Sequence, residues 1–165
     1  MEMNRPGFTL RQKTRADNKK VVEIIQQWGS EIIVSRGKSY SAHNTDGILA
    51  CMDSIIAGIC LYNIEATECE IILLEVFKEK IGIGSAFIEK MKEVSKERRC
   101  TRLWLITTND NIDAIKFYQK KGFYISGFYG NAIEESRKIK PQIPFIGHYQ
   151  IPIRDEIELE MKIHL

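Results

Sequence analysis

Residues 70–91 read EIILLEVFKEKIGIGSAFIEKM. An apolar strand runs into Gly82-Ile83-Gly84-Ser85 and the period then changes. Ala86, Phe87, Met91 and Val94 recur with Lys and Glu between them, the spacing of an amphipathic helix reaching about Arg99. A helix that starts at glycines presents unpaired backbone N–H groups and the positive end of its dipole, and the absent side chains let a ligand approach the main chain. A diphosphate is the natural occupant of such a turn. Two other nucleotide motifs fail. A dinucleotide fingerprint needs a third glycine where Phe87 stands, and Gly37-Lys38-Ser39 would need a glycine at Ile32 to make a phosphate loop.

Working outward, GILACMD, IIAGICLYNI and CEIILLEV are three successive strand patterns, separated by turns at Asp53-Ser54 and EATE, and they predict an antiparallel meander. Before them, FTLRQKT (8–14) reads as a strand. It leads into a helix carrying Val21, Val22, Ile24, Ile25 and Trp28, with Thr14 and Asp17 as a capping pair and Gly29 as the stop. The mixed polar residues 30–46 read as a loop with at most a short helix. Downstream, 102–108 (RLWLITT) predicts a strand, 111–122 a helix closed by Gly122, and 123–129 another strand. Residues 130–156 hold three of the four prolines, Pro141, Pro144 and Pro152, and predict an ordered excursion that opens with a short helix. IELEMKI (157–163) alternates like a half-exposed final strand. The expected fold class is α/β (α+β): a central mixed, mostly antiparallel sheet of about six to seven strands flanked by helices, in a single domain spanning 1–165.

The 165 residues suit one domain and are too few for a TIM barrel. A net charge of +2 asks for neither nucleic acid nor an anionic membrane as partner. No secretory or membrane-spanning apolar run is visible, so a cytoplasmic protein is expected. Cys51, Cys60, Cys69 and Cys100 contain no CxxC pair and lie far from His43, His148 and His164, so no metal site is expected and the cysteines read as small buried hydrophobes. The near-zero total conceals a local excess: residues 78–102 carry eight basic side chains against four acids.

A second motif begins 27 positions after Gly84, at Asn111-Ile112-Asp113-Ala114-Ile115-Lys116-Phe117-Tyr118. On a helix Asn111, Ala114, Ile115 and Tyr118 share a face, so an amide, a small residue and a phenol line one groove. The glycine turn and this NxxAIxFYxKxGF block together resemble the GNAT superfamily of acetyl-CoA-dependent N-acetyltransferases. The signature likeness covers about residues 70–128, and the element order matches from residue 8. Within that superfamily the chain is similar to a subgroup of uncharacterised microbial members that carry TTNDN (107–111) and IPIRDEIELE (151–160).

The resemblance implies acetyl-CoA as acyl donor and an amine of a small molecule, protein or peptide as acceptor. It implies that the main chain of Leu74, Glu75 and Val76 pairs with the pantetheine arm. Lys80, Ile81, Gly82, Ile83, Gly84 and Ser85 would hold the pyrophosphate, and Asn111, Ala114 and Phe117 would lie against the cofactor. Tyr118 matches a tyrosine that serves as general acid beside the thioester sulfur. One departure is Glu79, where the superfamily usually has Gln or Arg three residues before the first glycine. A carboxylate about 6 Å from a phosphate charge would cost roughly 3 kcal/mol at an effective dielectric of ~20, so Glu79 is expected to point into solvent.

Acetyl transfer needs a neutral amine. For a lysine-like amine at neutral pH, deprotonation costs about 4.6 kcal/mol, so a base is required. Glu75 is the first candidate and Glu70, earlier on the strand, the second. The excursion is expected to wall the acceptor side through Glu134, Glu135, His148, Arg154 and Asp155, or to form a solvated flap or homodimer contact. The functional alternatives are a non-catalytic acyl-CoA sensor and an interaction domain whose glycines serve only packing.

Overall fold

A computed structural model of the chain describes residues 3–5 and 7–164. β5 (Asp46–Met52), β6 (Ile55–Glu65) and β7 (Glu68–Val76) form the antiparallel meander that the sequence pattern predicts, and β2 (Phe8–Gln12) pairs antiparallel with β5. A three-residue β1 (Met3–Arg5), not expected from the sequence, extends its edge. The β5–β6 turn places Asp53 at φ 52°, a left-handed geometry that Asp tolerates better than most residues.

After β7 the chain enters α2 (Ile83–Glu97) and returns as β8 (Arg102–Thr108), parallel to β7. A helical crossover is what a parallel neighbour requires. It is followed by α3 (Ile112–Lys120), β9 (Tyr124–Tyr129), α4 (Ile133–Ile139) and β10 (Glu156–Lys162). The last strand inserts between β8 and β9, so the eight-stranded order is β1-β2-β5-β6-β7-β8-β10-β9.

Alternation along the strands divides the core in two. Ile48, Ala50, Cys60, Cys69 and Ile71 pack beneath α2 and α3, against Phe87, Met91 and Tyr118. Leu49, Ile59 and Leu61 point the other way, toward Val21 and Ile25 of α1 (Asn18–Ile25). Complete burial of Phe87 alone contributes roughly 1.5–3 kcal/mol. The four cysteines are buried and free.

Two sequence expectations are corrected. Residues 30–46 are not simply a loop: β3 (Ile32–Ser35) and β4 (Lys38–Ser41) form a separate two-stranded hairpin. Arg36 and Gly37 both have positive φ, 48° and 72°, as a tight two-residue hairpin turn needs. An Arg-Gly pair is a weak turn signal, which hid the β-branched run Ile32-Ile33-Val34 before it. The final strand is also not half-exposed: Glu156 and Glu158 are buried. Their face of β10 is covered by the excursion and the hairpin. Tyr129 and Ser126 hydroxyls donate to Glu158, and the Ser136 hydroxyl donates to Glu156, which makes the burial tolerable.

Candidate active site

The pairing of β7 with β8 stops halfway. It runs from Glu68↔Arg102 to Ile71↔Leu105, and beyond that point the two strands diverge. At the same place β7 bulges, because Tyr62 faces Ile71 while Leu61 faces Leu73, leaving Ile72 as an extra residue. The bulge resets the alternation: Leu74 and Val76 join Ile71 on the α2–α3 side, whereas Leu73 joins the α1 side. Glu75, adjacent to both Leu74 and Val76, therefore points toward the α1 side.

The divergence opens a cleft of about 180 Å³. Residues 71–75 and 105–107 line its flanks, and Asn111, Ala114 and Tyr118 close it from α3. Leu74 and Tyr118 belong to the α2–α3 side and Leu73 to the α1 side, so residues of both sides line the cleft. The main chain of 73–76 is paired with β6 on one side and faces this gap on the other.

The glycine turn lies at the end of the same strand. Lys80 (φ 65°) and Gly82 (φ 88°) adopt left-handed backbone, and the first bond into α2 is from the Ala86 N–H to the Gly82 carbonyl. The N–H groups of Ile83, Gly84 and Ser85 thus have no helical partner. The Ile83 side chain is buried in the core, while Lys80, Ile81 and Gly82 are exposed. A side chain at Gly84 would place its Cβ 3.2 Å from Phe117 Cζ, so this glycine lets α2 seat closely on α3. Glu79 is exposed, as expected.

Asn111 caps α3, its side-chain oxygen accepting the Ala114 N–H at 3.3 Å. Tyr118 is buried edge-on between Phe117 and Phe123, with ring centroids 5.2 and 5.4 Å away. Burial pushes its phenol well above the ordinary range, with Cys60 and Glu75 adding to the shift, so the hydroxyl stays protonated. Glu75 is half-buried, and burial raises its carboxyl pKa while His148 pulls it down.

Glu70, the second candidate base, is placed elsewhere. It is buried, with its two oxygens accepting from Ser35 Oγ at 2.5 Å and Tyr40 OH at 2.8 Å, and it does not line the cleft. Of the five excursion residues, Glu134 and Glu135 pair with Arg137 and Lys138 along α4, and Arg154 pairs with Asp155. His148 alone among them acts on Glu75. Larger hollows lie elsewhere; the acids of one, about 340 Å³ beside Trp104, are already taken by Lys38, Arg102, Ser35 and Tyr40.

Sequence reasoning missed Asn109 and Asp110. The Asn109 side-chain oxygen accepts the Arg154 and Asp155 N–H groups, each at 2.9 Å, and its amide donates to the Pro152 carbonyl at 2.9 Å. Buried Asp110 accepts the His148 N–H at 2.9 Å. Their only signal was position within TTNDN.

The fold and site define a class that the comparisons identify. The family model described as the acetyltransferase (GNAT) family matches residues 10–123, and the chain belongs to this family. It is 42% identical over 135 residues to the uncharacterised protein YxbD of Bacillus subtilis (strain 168), spanning 81% of this chain and 85% of that one. A GNAT family acetyltransferase from Elizabethkingia anophelis, solved with acetyl-CoA bound, superposes with a TM-score of 0.72 at 19% identity, covering 96% of this chain and 99% of that one. An IAA acetyltransferase from Bacillus cereus ATCC 14579 gives 0.71 at 17%, covering 94% and 99%. No helix among the described residues is long and apolar enough to cross a membrane.

Proposed function

We propose that the protein transfers an acetyl group from acetyl-CoA to a primary amine by direct attack on the thioester. The observation that carries this reading is the cleft where β7 and β8 diverge, lined by Tyr118 of α3 and Glu75 of β7. Acetyl-CoA supplies the activated acyl group. The free N–H groups of Ile83, Gly84 and Ser85 and the exposed Lys80 suit its diphosphate, and the open main-chain edge of Leu74, Glu75 and Val76 suits the pantetheine amides. Asn111, Ala114 and Phe117 form the opposite wall of that path.

Glu75 takes a proton from the entering ammonium and passes it to solvent, and the freed nitrogen lone pair attacks the thioester carbonyl carbon. As the C–S bond breaks the thiolate accepts the Tyr118 proton, and the second nitrogen proton, lost through solvent as the neutral amide forms, restores the Tyr118 phenol. A raised carboxyl pKa strengthens Glu75 as a base. A phenol kept protonated by burial is available as a donor to sulfur. Titrating acetyl-CoA into the protein by calorimetry, followed by thiol detection over an amine panel, tests the reading. Saturable binding with amine-dependent thiol release supports it. Absence of binding overturns it, and binding with no release from any amine indicates an acyl-CoA sensor.

A further inference from the structure

We infer that the acceptor is a small primary amine, not an amine of a protein or peptide, because the hairpin and the excursion together roof the acceptor face of the sheet. This rests on the N-acetyl transfer proposed above. The hairpin lies across three strands of that face. Ser35 and Tyr40 hold Glu70 on β7, while Arg36 stacks on the Tyr129 ring of β9, 3.3 Å from its centroid, and stands 3.6 Å from Glu156 of β10. Ile33 packs in the same cluster as Leu73 and α1, so β7 is covered up to the residue two before Glu75.

The excursion continues the cover. Over β10, α4 donates Ser136 Oγ to Glu156, and Lys140 Nζ donates to the Ile32 carbonyl of the hairpin at 2.9 Å, joining the two parts. The return limb is then fastened beside the cleft by Asn109 and Asp110, and Tyr149 OH donates to Asp113 of α3. Gly147 is required there, since a Cβ would stand 2.0 Å from Asp110 Oδ2. What remains at the acceptor side is the half-buried Glu75, within electrostatic reach of His148.

The dimensions then select the acceptor. The cleft of about 180 Å³ must also admit the thioester end, whereas ligand pockets usually measure ~300–1,000 Å³. A roof one helix or one hairpin thick is about 10 Å deep. The four-carbon lysine stem spans roughly 6 Å, too little to reach beneath it from a protein surface, and a peptide N-terminus would have to bring its own backbone through the opening. A small amine enters whole.

The test compares kcat/KM for a panel of small primary amines with that for lysine-bearing and free-N-terminus peptides, using the full chain and saturating acetyl-CoA. The best small amine is expected to exceed the best peptide by at least tenfold. A peptide within tenfold of it, or peptide turnover with no small-amine turnover, overturns the inference. Absence of turnover with every amine and peptide, or absence of acetyl-CoA binding, would instead overturn the parent reading. In the double variant Arg36→Ala, Lys140→Ala, with melting temperature and acetyl-CoA affinity checked, the peptide-to-small-amine ratio should rise at least fivefold. An unchanged ratio in that folded variant rejects the roof as the cause.

Discussion

The two sides of the cleft are built on different principles. On the glycine-turn side, ligand-facing groups come from main chain and from two contiguous runs, 72–85 and 111–118. On the acceptor side, cover comes from side chains that bind backbone or carboxylates far away in sequence: Ser35 to Glu70, Lys140 to Ile32, Asn109 to Arg154 and Asp155. The first construction needs only local geometry and tolerates change in side chains that point away. The second depends on particular donors and acceptors, and each link that is cut releases a segment. The two constructions share one opening of about 180 Å³.

The largest effects should follow from removing the groups that meet in that opening. Tyr118→Phe deletes the proposed proton donor while keeping the ring packed against Phe117 and Phe123, and general acid catalysis is typically worth about 10²–10⁴-fold. Turnover should drop within that range while acetyl-CoA affinity, measured by calorimetry, stays within twofold. Equal rates for the variant and the native protein would remove Tyr118 from the mechanism.

Glu75→Gln should cost about 10²-fold in kcat/KM for the amine and also change its pH dependence. Burial holds the native carboxyl above its ordinary range, so the base form accumulates, and activity rises, only as pH climbs through that raised value. The variant should lose this rising limb. Stability moves the other way: a carboxyl whose folded pKa is raised contributes stability below its unfolded pKa and loses it as pH climbs through the folded value. Glu75→Gln should therefore melt no lower than the native protein at neutral pH. His148→Ala, which removes the influence opposing burial, should shift the activity limb to still higher pH.

This contrast also explains what could be read from the sequence. The strand–glycine–helix run 70–91 and the Asn111–Tyr118 face were legible because each carries its periodicity and turn chemistry within about twenty residues. The meander and the β8, α3 and β9 segments were legible for the same reason. The hairpin at Ile32–Ser41 was not, since its turn uses Arg-Gly and its strands matter only through what they cover. Glu75 ranked above Glu70 only by its place at the end of the strand. The bulge at Ile72 turns Glu75 to the same face as Glu70, and the hairpin hydroxyls of Ser35 and Tyr40 occupy Glu70 alone; nothing in the string IILLE announces a bulge. Glu156 and Glu158 looked solvated because their alternation with apolar residues matches a half-exposed strand, while their cover arrives from elsewhere in the chain.

The roof should be the more brittle half. Gly147→Ala forces a Cβ to within 2.0 Å of Asp110 Oδ2 and 2.8 Å of Ile153 Cγ1, and Asp110 is buried. Overpacking of this kind costs about 1–3 kcal/mol. The loss should appear as faster amide exchange confined to residues 145–154, with acetyl-CoA affinity unchanged. Asn109→Ala, which removes three hydrogen bonds to Pro152, Arg154 and Asp155, should expose the same segment. Protection of that segment equal to the native level in both variants would contradict the anchoring.

The smallest effect should come from Gly84→Ala. The new Cβ would meet the far end of a ring, Phe117 Cζ at 3.2 Å and Cε2 at 3.5 Å, with Val76 Cγ2 at an ordinary 3.8 Å, and a ring tip can yield by a few tenths of an ångström. Ala is favoured over Gly inside a helix by about 0.8–1.0 kcal/mol, which offsets that adjustment. The N–H of residue 84 survives the change, so the donor proposed for the diphosphate is kept, and only the seating of α2 on α3 shifts. The melting temperature should stay within about 3 °C of the native value, under 1 kcal/mol for a domain of this size. Acetyl-CoA affinity should fall less than tenfold by calorimetry. A larger fall in melting temperature than that caused by Gly147→Ala would reverse the ranking of the two halves and place the tighter side-chain constraint on the glycine turn.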